Sequence, residues 1–95
     1  MATLSIVKKH GLTHEQARHA ADQVAKDLRK RFELAYRWEG DVIRFERPGL
    51  SGELRVGQRD VALECQLGFL LSALKPAIER EVHSEFDKRF GPTVA

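Results

Sequence analysis

The chain has one cysteine, one tryptophan, one tyrosine and three prolines in 95 residues. A lone Cys65 excludes an intramolecular disulfide framework and a cysteine-rich zinc site. It fits a reducing compartment, so the cytoplasm is the expected location. No apolar run approaches the ~20 residues a membrane-spanning helix needs. Met1 to His10 also lacks the long apolar segment and small-residue cleavage pattern of a secretory leader. Charge of one sign is barely in excess: 16 Lys and Arg against 14 Asp and Glu leave a formal +2. That is too little to imply nucleic-acid binding unless the charges segregate in space. Internal repeats, low-complexity tracts and Pro/Gly/Ser linkers are absent as well, which predicts one domain over residues 1–95.

What is present is ordinary globular material, 42% hydrophobic and 32% charged. A chain of this size buries only about 60–65% of the surface its unfolded form exposes, so most apolar side chains are needed as core. That weighs against a deep ligand pocket. Thr3 to Lys8 alternates with Leu4 and Ile6 on one side and reads as a strand ended by His10-Gly11. Thr13 is then a good N-cap, with Gln16 as its capping-box partner and Leu12 and Ala17 at the staple positions. Ala17, Ala20, Ala21, Val24, Ala25, Leu28 and Phe32 recur at three- and four-residue spacing and form the apolar stripe of a helix. A second helix carries Ile78, Val82, Phe86 and Phe90 every four residues. Pro76 sits in its first turn after a short helical turn, Lys88 and Arg89 come late, and Gly91-Pro92 stops it.

Between the helices, Leu34 to Leu67 reads as a four-stranded antiparallel meander. The two-residue loop Gly40-Asp41 sets Trp38 opposite Ile43 and Tyr36 opposite Phe45. A loop Pro48-Gly49-Leu50-Ser51 sets Phe45 opposite Leu54 and Ile43 opposite Val56. The turn at Gln58-Arg59 sets Val56 opposite Val61 and Leu54 opposite Leu63, with Cys65 on the same inner face. The expected fold is α+β: strand, helix, four-stranded antiparallel meander, helix, with two amphipathic helices covering one sheet face.

On the other face this register lines up Arg37, Arg44 and Arg55 across three strands, with Glu46, Glu53 and Glu64 in a parallel row. Such a row could contact an anion. A solvated face in which each arginine reaches a glutamate accounts for the same pattern, since exposed pairs of this kind are common. Lys26, Arg29, Lys30 and Arg31 look like a basic patch but also lie where cations complement a helix C-terminus. His83 stands four residues from Glu79 and from Asp87, short of a zinc ligand set and better read as a surface ion pair. Gly49-Leu50-Ser51-Gly52 lacks the final glycine of a nucleophile elbow, because Glu53 occupies it, and joins two strands rather than a strand and a helix. Cys65 reads as a buried hydrophobe. Tyr36, Trp38 and Phe45 point inward, away from any nucleic acid. No catalytic, cofactor or metal constellation emerges. The run Leu67 to Leu74 is harder to place: one helical turn cannot bury Phe69, Leu70, Leu71 and Leu74 together, so part of it is either a cap on the core or a patch for self-association or docking.

The order of motifs is distinctive. Tyr36-Arg37-Trp38-Glu39-Gly40-Asp41 is followed by Phe45-Glu46-Arg47-Pro48-Gly49 with Ser51-Gly52, then by Leu67-Gly68-Phe69-Leu70-Leu71 and Leu74-Lys75, and finally by Phe90-Gly91. Over nearly the whole chain this resembles the polyhydroxyalkanoic acid system (granule-region) family of small bacterial proteins. The resemblance implies association with the storage-polyester system and carries no established catalytic residues. It leads to the expectation of a non-enzymatic, cytoplasmic accessory protein without cofactors. Its partners would be the polyhydroxyalkanoate granule surface, granule proteins or a second copy of itself, and its contact residues Phe69, Leu70, Leu71 and Leu74. A second reading, from the loose likeness to helix-grip folds, is a small apolar-ligand (acyl) binder. It requires a cavity of ~300 Å³ or more on the inner face.

Overall fold

The computed structural model describes residues 2–91. The chain runs through β1 (Ala2–Lys9), α1 (His14–Phe32), β2 (Ala35–Glu39), β3 (Val42–Arg47), β4 (Leu50–Val56), β5 (Asp60–Leu67) and α2 (Lys75–Phe90), with a 3-10 turn at Ser72–Leu74. The strands form one antiparallel sheet in the order β1-β5-β4-β3-β2. The meander is β2 to β5, and β1 joins its far edge with Leu4 opposite Cys65 and Ile6 opposite Leu63. α1 must therefore carry the chain from one sheet edge to the other.

The local signals act as their chemistry requires. Thr13 Oγ1 accepts from Gln16 N and Gln16 Oε1 accepts from Thr13 N, both at 3.1 Å, which satisfies two otherwise orphaned backbone donors at the start of α1. The buried stripe of α1 is Ala17, Ala20, Ala21, Val24, Ala25 and Leu28, and its small side chains let the helix lie close on the sheet. α2 contributes Ile78, Val82, Phe86 and Phe90, the last two meeting edge to face at 5.5 Å. Gly91 ends α2 at φ +78°, and Pro92 lies outside the described residues. Cys65 is buried, and burial pushes its thiol up to about 11, so it stays protonated near neutral pH and packs as a small hydrophobe.

Two of the three predicted turn registers hold: Trp38 faces Ile43 and Tyr36 faces Phe45, and Val56 faces Val61 and Leu54 faces Leu63. The third is displaced by two residues. Pro48-Gly49 alone makes the β3–β4 turn, Arg47 pairs with Leu50, and Ile43 and Phe45 face Leu54 and Gly52 rather than Val56 and Leu54. Gly49, at φ +84°, supplies the left-handed residue that follows proline in a tight type II turn, so two residues suffice where four were expected. Glycine is also required at position 52, where a Cβ would sit 2.8 Å from Glu64 O and 3.0 Å from Cys65 Cα. A shift of two leaves every side chain on its expected face, so the core is unchanged while the outer rows are reordered.

One core position departs from the apolar pattern. Glu85 is only 5% exposed, beside an Asp27–Arg89 ion pair of 2.8 Å. Burial, and then the hydrogen bond with Asp27, raise the Glu85 carboxyl above its ordinary value. The Arg89 guanidinium holds Asp27 below its own. Glu85 is thus the member of this acid pair that leans toward the protonated form.

Candidate functional site

The site is built at the end of the sheet where β5 gives way to α2. Leu67 is fully buried, and the next residue turns sharply: Gly68 N donates to Gly49 O at 2.7 Å, which ties the start of the connection to the β3–β4 turn. Leu71 N and Ser72 N then both donate back to Gly68 O, at 3.1 and 3.0 Å, and Ser72 Oγ donates to Phe69 O at 2.7 Å. This tight loop throws its two middle side chains outward. Phe69 is 82% exposed and Leu70 87%, while Leu74, one turn on, is 43% exposed. Leu71 does the opposite: it packs against the core, with its Cδ1 3.3 Å from where a Cβ on Gly49 would stand. The four predicted contact residues are therefore brought together, three facing solvent and one anchoring the loop. A depression of about 300 Å³ lies beside them, lined by Glu46, Arg47, Gly49, Leu50, Leu67 and Gly68 among others.

The helix-free face of the sheet carries the second predicted group. The two-residue shift breaks the expected row of three arginines. Arg37 and Arg44 remain opposite each other, but Arg44 now faces Glu53, Glu53 faces Glu64, and Arg55 faces Val42. Glu46 faces Ser51, outside the row that holds Glu53 and Glu64. Each arginine reaches a glutamate. Glu39 bridges Arg44 at 2.6 Å and Arg37 at 3.0 Å, and Glu53 bridges Arg55 at 2.7 Å and Arg44 at 3.5 Å. The hydrogen bond from Arg44 holds the Glu39 carboxyl below its ordinary value. A depression of about 440 Å³ on this face is lined by Arg37, Arg44, Glu53, Glu64 and Gln66 among others.

The remaining candidates are absorbed by structure. Lys26 pairs with Asp22 and Arg31 with Glu81, while Arg29 lies over Tyr36, so the basic patch at the end of α1 is largely engaged within the chain. Asp87 pairs with Lys8 of β1 at 2.9 Å. Among the described residues no group of three or more His, Cys, Asp or Glu is placed to hold a metal ion. No described helix is long and apolar enough to cross a membrane. Sequence reasoning missed Asp22, whose carboxylate accepts from Trp38 Nε1 at 3.0 Å and from Tyr36 OH at 3.4 Å. The hydrogen bond from Trp38 leads the influences holding that carboxyl below its ordinary value against the opposing effect of burial. The signal was two inward aromatics with polar tips, which need an acceptor when half-buried.

These features define a two-layer α+β domain with a charged open sheet face and an uncovered apolar tip. The family model described as "Putative polyhydroxyalkanoic acid system protein" matches residues 4–90, from the first inward leucine of β1 to the end of α2. The chain belongs to that family. Neither a curated protein nor a solved structure matches it.

Proposed function

We propose that this chain is a non-enzymatic accessory protein of the polyhydroxyalkanoate system that docks on the apolar surface of storage granules through Phe69, Leu70 and Leu74. The observation that carries the reading is the near-complete exposure of Phe69 and Leu70 on a loop whose own hydrogen bonds hold them outward. Removing two such side chains from water is worth roughly 1.5–3 kcal/mol each before the costs of association, enough for reversible docking but not for permanent anchoring. Leu71 and the Gly68–Gly49 hydrogen bond keep the loop rigid, so little ordering entropy is lost on contact. Family membership supplies the polyester context, and the tip supplies a surface suited to a hydrophobic particle.

The test is co-sedimentation of purified protein with amorphous polyhydroxybutyrate granules, alongside the localisation of a tagged copy in cells with and without granules. The Phe69→Ser/Leu70→Ser variant, shown folded by circular dichroism, is expected to stay in the supernatant. Undiminished co-sedimentation of that variant, or a diffuse cellular signal irrespective of granules, would refute the contact.

A further inference from the structure

The open sheet face has a charge order that the isolated chain satisfies only in part. Its central row reads Ser5, Glu64, Glu53, Arg44, Arg37 from β1 to β2, two acids and then two bases. Like charges directly opposite on neighbouring strands are destabilising, and this row contains two such pairs, Glu53 with Glu64 and Arg44 with Arg37. Within the chain Glu39 and Glu53 partly relieve the arginines, but Glu64 has no ion-pair partner among the described residues.

We infer that two copies of this chain stack face to face through these helix-free surfaces, related by a two-fold axis that runs along the strands between β3 and β4. That operation reverses the order of strands and leaves position along them unchanged. It sets Arg44 over the partner's Glu53 and Arg37 over the partner's Glu64, and both contacts occur twice. The flanking rows are compatible: Arg55 meets the partner's Val42, Glu39 the partner's Ala62, and Glu46 the partner's Ser51, so no like charges meet. A two-fold running across the strands would instead stack each strand on itself, and the outward residues of β5, Asp60, Ala62, Glu64 and Gln66, include no cation, so only the first axis gives Glu64 a partner of opposite charge. Sheet twist agrees with it, because a saddle rotated about its own strand direction keeps its curvature and the two faces stay parallel. The interface is polar and wet, with the 440 Å³ depression leaving room for long side chains and water. The axis also carries both apolar tips to the same end of the dimer. The pairing does not depend on what those tips bind.

Sedimentation equilibrium of the intact chain tests the dimer, up to about 1 mM protein, the range where weak wet interfaces associate. The mass is expected to rise toward twice the monomer at low salt. Association is expected to weaken at least about tenfold between ~0.05 and ~0.5 M salt, as the screening length shortens. The R37E/R44E and E53R/E64R variants are each expected to be monomeric, and an equimolar mixture of them to recover the dimer. If circular dichroism shows either to be unfolded, the milder R37Q/R44Q variant is expected to show the same loss. A nitroxide at Ser5→Cys fixes the axis. Two β1 strands five strand-spacings apart in opposed sheets lie roughly 25 Å from each other, whereas the rejected axis brings them to about 10 Å. A monomer throughout, a salt-insensitive dimer, an unaffected R37Q/R44Q variant or the short distance would overturn the proposal.

Discussion

The two ends of the sheet treat their side chains in opposite ways. At the end holding the β2–β3 turn, polar side chains from α1 and the turn engage one another. Asp41 accepts from Arg18 at 2.6 Å and lies 3.0 Å from His14 Nε2, Arg18 also donates to Gly40 O, and its guanidinium lies 4.4 Å over the Trp38 ring. Nearby, His10 Nδ1 accepts from Leu12 N and its Nε2 donates to Gly57 O at 3.1 Å, while Phe90 packs against the imidazole at 5.9 Å. At the opposite end the backbone is just as firmly bonded, through Gly49, Gly68 and Ser72, yet the side chains of Phe69 and Leu70 are left in water. Rigid backbone with uncovered apolar side chains is not what core closure produces, because a loop free to choose would turn Phe69 inward. The closed end serves stability and the open end is available for recognition.

The largest effect is expected beneath the closed end. Phe86→Ala, at 1% exposure beside Phe90, is expected to cost about 3–5 kcal/mol in urea unfolding. A cost below about 1 kcal/mol would mean that the core there is looser than its packing implies. Next comes Glu85. Its folded pKa is raised, so the stability it contributes is fully present below its unfolded value and is lost as pH climbs through the folded one. Asp27, held low by Arg89, contributes in the opposite sense and is lost as pH falls below the ordinary aspartate range. Glu85→Gln is therefore expected to raise the melting temperature at pH 7 and to remove most of the decline seen as pH climbs above the ordinary glutamate range. An unchanged decline would place the titrating group elsewhere. Smaller again is Thr13→Ala at the start of α1, which opens the capping box and is expected to cost about 0.5–2 kcal/mol by the same unfolding assay.

Much of this division could be read from the chain, and the failures have physical causes. Inward and outward faces follow from alternation, which is enough to bury Ile43, Phe45, Leu54, Val61 and Leu63. Register along β3 and β4 did not follow, because a slip of two residues preserves alternation, and only the tight Pro48-Gly49 turn decides between the two pairings. The apolar tip was legible as a run too long for one turn to bury. That Leu71 faces in while Phe69 and Leu70 face out depends on hydrogen bonds to Gly68 O and on Gly49, which is distant in sequence. Glu85 was invisible for a related reason. It sits three residues after Val82 and one before Phe86, at the border of the buried stripe, where only the approach of Asp27 and Arg89 from both helices makes burial tolerable.

The smallest expected effect on stability is the most informative. Phe69→Ser and Leu70→Ser remove apolar side chains that touch little of the core, so each is expected to shift unfolding by no more than about 0.5 kcal/mol. Leu71→Ser, in the same loop and of the same chemistry, should cost clearly more, because Leu71 packs against the core and closes over Gly49. Measured by urea unfolding, three substitutions within one loop thus separate the exposed tip from its support. Equal losses at all three positions would show that Phe69 and Leu70 close the core, and the open end would then serve stability as fully as the closed one. Near-silence at Phe69 and Leu70, set against a clear loss at Leu71, would leave recognition as the remaining physical reason for two large apolar side chains to be held in water by a rigid loop.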